Sequence, residues 1–235
     1  MELLPVKNTK LIDVVTKKIR DEILGGSYLP GDKLPPEHQF VDQLQVSRIV
    51  VREALRKLEA IGLLTVKRGA GMFVAGSDTT AVNDVLFSVL RIQKVGILEI
   101  IQAGLTIEPA IAELVAENRT SEHINALRAN VERSEELIKT KVSSHNNNRE
   151  FHRIIAEATQ NRVLKLSVEA VLHVLNSVHG PFGVPTCGDD ALIWHSKILQ
   201  AIEDKKPREA ARLMRDHITE VRKGVERVLK SGSTS

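Results

Sequence analysis

Apolar residues at Leu11, Ile12, Val15, Ile19 and Leu24 fall close to the helical period and predict a helix with one buried face, stopped by Gly25-Gly26. Tyr28-Leu29-Pro30-Gly31 reads as a turn, and Pro35-Pro36 opens a short helix over Glu37 to Leu44. Ser47 stands where an N-cap belongs, with a helix running from it to about Ile61 and ended by Gly62. Leu63 to Val66 and Met72 to Val74 are short strand patterns around Lys67-Arg68-Gly69-Ala70-Gly71, and the two glycines suit a hairpin tip that approaches another backbone closely. Gly76-Ser77-Asp78-Thr79-Thr80 is small and polar, which predicts a linker.

Beyond the linker the pattern is helical almost throughout. Helices are expected near 82–92, 95–118, 121–141, 146–158, 161–178, 189–204 and 207–230, with turns at Asn118 to Thr120, Asn146 to Asn148 and Gly180 to Gly188. No fixed-period repeat is visible, which excludes a solenoid. The predicted fold is mainly α: a winged helix-turn-helix with a small β-hairpin wing over 1–76, a linker over 77–82, an all-α helical bundle over 83–230 and a flexible tail over 231–235.

The distribution of charge sharpens this division. Residues 1–76 hold 12 lysines and arginines against 9 acids, and the remainder holds 21 against 21, so the formal net charge of +3 resides in the first third of the chain. Aromatic residues make up only 3% of the sequence, which argues against a single-strand or RNA-loop reader built on base stacking. One cysteine, Cys187, excludes an intrachain disulfide and a CxxC zinc site. No stretch has the length of a membrane span and no secretory signal is visible, so the expected compartment is the cytoplasm, with no membrane partner.

A helix-turn-helix followed by a basic wing is an arrangement that enters a DNA groove. Arg48 and Arg52 are four residues apart and therefore share a helix face, which Arg56 extends. An arginine near the start of such a helix can take guanine bidentately while its neighbour holds phosphate. The alternative is that these arginines only pair with Glu53 and Glu59 on their own helix. Residues 9–76 resemble the winged helix-turn-helix of the GntR family of bacterial transcription regulators. The residues behind this resemblance are Pro30-Gly31-Asp32-Lys33-Leu34-Pro35, Glu37, Val46-Ser47-Arg48, Val51-Arg52-Glu53-Ala54-Leu55, Gly62-Leu63-Leu64 and the Gly69-x-Gly71-x-Phe73-Val74 tip. The resemblance implies DNA contact by Ser47, Arg48, Arg52 and Gly69, with Arg68 beside Gly69 in the wing. His38 stands where the family usually has arginine, Ile49 where it often has Thr or Pro, and both are expected at the DNA. Gln45 replaces the usual glycine of the turn, so a slightly different turn conformation is expected there.

In the C-terminal part, His152, His195 and His217 each lie inside a helical pattern, and Asn148 is one turn before His152. Three imidazoles from three helices plus one oxygen could hold zinc, nickel or manganese; equally, such histidines could pair with backbone or face solvent. Residues 83–230 are similar to the all-helical FCD-type ligand-binding domain of the FadR subgroup. The matching pieces are Glu108-Pro109-x-x-Ala112, Phe151-His152, Asn161, His195-x-x-Ile198-x-x-Ala201-Ile202 and Ala210-x-x-x-Met214-x-x-His217. That resemblance implies a divalent metal held by His152, His195 and His217, with Asn148 in place of the usual aspartate. It also implies a small-molecule effector of the carboxylate class near Asn161, His152 and His195. An arginine common one turn before Glu108 is Gly104 here.

The function so implied is a metabolite-responsive transcription regulator, a repressor, binding a palindromic operator as a homodimer. No enzymatic activity is expected. The alternatives are a metal-dependent hydrolase and a ligand-free architectural DNA-binding protein; neither Glu150 nor Glu157 sits in a recognisable catalytic motif.

Overall fold

A computed structural model describes residues 9–76, 80–182 and 189–232. Ten helices and one two-stranded antiparallel sheet occur among the described residues, and the chain divides into two compact units, Met1–Val85 and Leu86–Ser235.

The first unit contains α1 (Thr9–Leu24), α2 (Glu37–Leu44), α3 (Arg48–Ala60), β1 (Leu64–Lys67) and β2 (Gly71–Val74). Val15, Ile19 and Ile23 of α1 meet Val51, Ala54, Leu55 and Leu58 of α3 in a closed apolar core that also takes Phe40, Leu64 and Val74. The hairpin pairs Leu64 with Val74 and Lys67 with Gly71. Its outer strand is tied to the segment before α2: Leu34 N–H donates to the Met72 carbonyl, Gly31 N–H to that of Val74, and Val74 N–H to that of Asp32. The wing is therefore anchored at its base on both sides, leaving the 68–70 tip free.

Gln45 keeps the left-handed turn that its type disfavours, at φ 53° and ψ 44°, with its N–H on the Val41 carbonyl. That is a backbone conformation which glycine adopts without strain. The Gln45 amide instead bonds the Asp42 carbonyl at 2.7 Å, offsetting part of a strain of about 1 kcal/mol.

The helices that follow are α4 (Thr80–Ile92), α5 (Ile97–Asn118), α6 (Ser121–Lys139), α7 (His145–Ala158), α8 (Arg162–Phe182), α9 (Asp189–Glu203) and α10 (Pro207–Gly232). Residues 77–79 of the expected linker lie outside the described residues, whereas Thr80 already starts α4, because the apolar spacing of Val82, Val85, Leu86 and Val89 sustains a helix. At the other end α10 continues to Gly232, with the Ser231 hydroxyl bonded back to the Val228 carbonyl, so Ser231 and Gly232 are helical and not tail. Residues 183–188, most of the expected Gly180–Gly188 turn, are also outside the described residues.

In the second unit α5 packs most extensively on α10 and also on α8, while α6 lies against α7 and α9. Ile101, Ile111, Leu127, Phe151, Ile155, Ile198, Ile202 and Met214 fill its core. Asn146 to Asn148, expected as a turn, form the first turn of α7. A buried amide exchange with α6 accounts for this. Asn147 donates to the Asn130 carbonyl at 2.8 Å and to Ser134 Oγ at 2.6 Å, and Asn130 donates back to the Asn147 carbonyl at 3.0 Å.

Candidate functional site

The exposed face of α3 is the candidate nucleic-acid interface. Ser47 caps the helix: its hydroxyl accepts from Val50 N–H at 3.4 Å, as the sequence predicts. Arg48, Ile49 and Arg52 are exposed on the face opposite the core, and Ile49 has 73% of its surface in solvent. An isoleucine that open is available for apolar contact and contributes nothing to the fold. Arg52 bonds Glu37 across the turn at 3.2 Å, Arg56 bonds Glu53 at 3.0 Å and Lys57 bonds Asp13 at 2.7 Å, all at the surface. Such pairs are worth under about 1 kcal/mol and exchange readily for phosphate. Arg48 has no ion pair among the described residues. His38 is exposed on α2 and Arg68 is exposed at the wing tip. Gly69 has φ +74° and open space where a side chain would stand, so its conformation and its clearance both permit close backbone approach.

A different kind of site lies in the second unit. His152 on α7, His195 on α9 and His217 on α10 are buried, and their ligating nitrogens all lie within 4.8 Å of one another. The Phe151 ring stacks on His195 with centroids 3.9 Å apart, which fixes the imidazole plane from one side. His152 and His217 face each other with Nε2 atoms 3.3 Å apart. Burial pushes the His217 imidazole down to about 3, with the neighbouring His152 adding to the effect. Burial also holds His195 well below the usual histidine range, followed by the fields of His152 and His217. Both rings are therefore neutral at neutral pH and offer lone pairs.

Glu108 on α5 supplies what the sequence reading missed. Its carboxylate bonds His152 Nδ1 at 2.5 Å with both groups buried. A proton on Nδ1 leaves the Nε2 lone pair directed at the other two rings, which is the carboxylate–histidine arrangement that orients a metal ligand. Two further observations fit a cation. His195 Nε2 and Asn148 Oδ1 are buried and have no hydrogen-bond partner. Buried acceptors left unmatched cost about 1–3 kcal/mol each, and a divalent ion would satisfy both.

A small cavity of about 70 Å³ adjoins the cluster, lined by His152 and His217, by Glu108 and Gly104 of α5, by His145, Asn148 and Arg149 of α7 and by Asn176 of α8. That space holds roughly five waters or a molecule of a few heavy atoms. Asn161 is not brought here. It is exposed at the start of α8, where its side-chain oxygen accepts from Val163 N–H at 3.0 Å and Leu164 N–H at 3.2 Å, the geometry of a helix cap. Arg149, His145 and Asn176 escaped the sequence reading because they sit on different helices with no linear motif joining them. Glu108 was visible as a lone acid in an apolar stretch, Leu105 to Ile111, a signal that a buried partner exists.

Comparison with known proteins gives one family match in each unit. Residues 11–74 match the description "Bacterial regulatory proteins, gntR family", and residues 99–220 match the FCD domain. The "Uxu operon regulator" of Haemophilus influenzae is 32% identical over 213 residues, covering 87% of this chain and 77% of that protein. The "Uxu operon transcriptional regulator" of Escherichia coli is 39% identical over 151 residues, covering 62% of this chain and 57% of that protein. The solved structure of Streptococcus agalactiae GntR superposes with a TM-score of 0.73 at 25% identity, over 90% of this chain and 99% of that one. Among the described residues no helix is long and apolar enough to cross a membrane.

Proposed function

The chain belongs to the GntR family of transcription regulators and has an FCD effector domain, and from that premise we propose that it is a cytoplasmic repressor of the FadR subgroup whose hold on DNA is set by a small organic acid bound beside a divalent metal. Members of the family bind operator DNA and are not enzymes, and FCD is a ligand-binding domain.

The observation that supports the sensing half is the convergence of His152, His195 and His217, with the His195 Nε2 unmatched, against a cavity too small for anything but a small ligand. The donor set is three imidazoles with the Asn148 amide oxygen completing it. Neutral, nitrogen-rich ligation favours zinc or nickel over manganese, which prefers carboxylates. When bound, the metal supplies a positive centre for an acidic ligand. The protein's own residues do the rest: Glu108 holds the His152 tautomer, Phe151 holds the His195 ring, and the surrounding apolar side chains keep bulk water out.

On the DNA side, Ser47 orders the first turn of α3, Arg48 and Arg52 reach base edges and phosphates, Ile49 and His38 touch the groove wall, and Arg68 with Gly69 follows the backbone. One short helix reads only a few base pairs, so a homodimer on a palindromic operator supplies the length that specificity needs.

The test is selection of duplexes from a random pool with the full-length protein, followed by affinity measurements with zinc alone and with zinc plus each of a set of small carboxylates. Coupling of about 5- to 150-fold is expected for at least one acid. Affinity identical under every condition would remove the sensing role. No duplex retained at low salt would remove the DNA-reading role.

A further inference from the structure

We propose that Arg149 is the residue that receives the carboxylate of the ligand, and that the ligand is a small hydroxylated acid entering beside α7; the inference rests on the ligand-sensing reading above. Two helices border this end of the cavity with opposite provisions. On α5, position 104 is glycine: a Cβ there would stand 3.0 Å from Glu108 Oε1 and 3.7 Å from Val171 Cγ1. A side chain from α5 at this position would have to shift the Glu108 carboxylate by a few tenths of an ångström; with glycine there, α5 itself presents no cation to the cavity.

On α7, Arg149 lines the same cavity. Its Nε is buried and has no hydrogen-bond partner, and no carboxylate pairs with it among the described residues. The residue is half-buried, and a planar anion that accepts two of its N–H groups supplies the counter-charge that the described residues do not. Glu108, the acid in the cavity wall, is engaged by His152 and cannot serve.

The remaining polar groups select for more than a carboxylate. His145 Nε2 lies 3.0 Å from Asn176 Oδ1, and both groups line the cavity. Amides and an imidazole can both donate and accept, which suits hydroxyl groups. The opposite wall is Ile101, Leu172, Ile218 and Val221, so an unbranched carbon skeleton has an apolar surface to lie on. A cavity of about 70 Å³ admits a short hydroxy acid and excludes a long acyl chain or a nucleotide without rearrangement.

The experiment is thermal unfolding of zinc-loaded, full-length protein titrated with lactate, glycerate and malate, each beside its uncharged counterpart: propane-1,2-diol, glycerol and butane-1,2,4-triol. Wild type should be stabilised by at least one acid and by none of the neutral compounds. R149Q should bind that acid on the order of 30-fold more weakly while retaining wild-type zinc content, and R149K, which keeps the charge but not the planar fork, should fall between them. Equal acid binding by R149Q, or equal stabilisation by acid and neutral counterpart, overturns the assignment and leaves the sensing reading standing. If no acid stabilises wild type, the assignment falls. If operator affinity is then also unmoved by every acid, the sensing reading falls with it.

Discussion

The two units solve opposite electrostatic problems. On α3 the functional groups are cations held at the surface, loosely paired with Glu37, Glu53 and Asp13, so they give up those partners at little cost. In the helical bundle the functional groups are three buried imidazoles, of which His195 and His217 are held below the usual histidine range, and one half-buried guanidinium with no ion pair among the described residues. The first arrangement suits a partner that brings many negative charges and is read by salt-sensitive contact. The second suits a single small ligand, because each buried polar group left unmatched raises the free energy of the empty state. The contrast separates a surface that must release its target from a pocket that must recognise one molecule.

The largest way to test that contrast is acid. His195 and His217 have folded-state proton affinities lowered from an ordinary value of about 6.5, and that of His217 falls to about 3. The unfolded chain therefore binds more protons in this window. The His217 contribution is fully present above about pH 6.5 and is lost as pH falls toward about 3, at about 1.4 kcal/mol per pH unit, and His195 adds a loss in the same direction. Metal-stripped protein should lose at least about 2 kcal/mol between pH 7 and pH 5 in denaturant titrations. Replacing His217 with Gln should flatten that slope; an unchanged slope would show that the ring does not titrate with unfolding.

The next effect is at Glu108. Glu108→Gln keeps the side-chain shape but removes the carboxylate from His152, and competition with a chelator should show zinc affinity reduced by about 10- to 100-fold. DNA affinity of the stripped protein should not change, since the substitution leaves α3 untouched.

On the surface the corresponding change is Arg52→Ala. Operator binding should weaken by about 1–3 kcal/mol and the slope of affinity against salt should flatten. Stability should move by no more than about 1 kcal/mol, because the Glu37 pair is exposed. A large stability loss with unchanged DNA affinity would assign Arg52 to the fold and not to the interface. The smallest effect is expected at Gln45: Gln45→Gly relieves the left-handed backbone and should raise stability by up to about 1 kcal/mol, read as a shift in the denaturation midpoint.

The same contrast explains what was legible in the sequence. Ser47, Arg48 and Arg52 lie within six residues of one helix, so cap, face and charge can be read along the chain. The wing was equally local, with its glycines marking the tip. The histidine cluster was visible residue by residue, but its meaning depended on packing. Glu108 lies 44 residues from His152, and His217 lies 65 from it. No local period reports that they meet. Asn161 lies away from the cluster, because an asparagine between helices serves equally as a cap and as a ligand contact, and here its oxygen takes the amides of Val163 and Leu164. The asparagine run at 146–148 has a turn's composition, yet its buried exchange with Asn130 and Ser134 makes it helical. Tertiary hydrogen bonds overrode local preference there.

The claim that most of this account depends on is that the three buried imidazoles form a cation site and not a packed core. Cobalt(II) titration of stripped, full-length protein, followed by visible absorption, tests it most directly. The account predicts saturation at about one cobalt per chain, displacement by zinc, and loss of the signal in His195→Ala while the variant remains folded. Absence of the absorption in wild type, or an equal signal in His195→Ala, would contradict it.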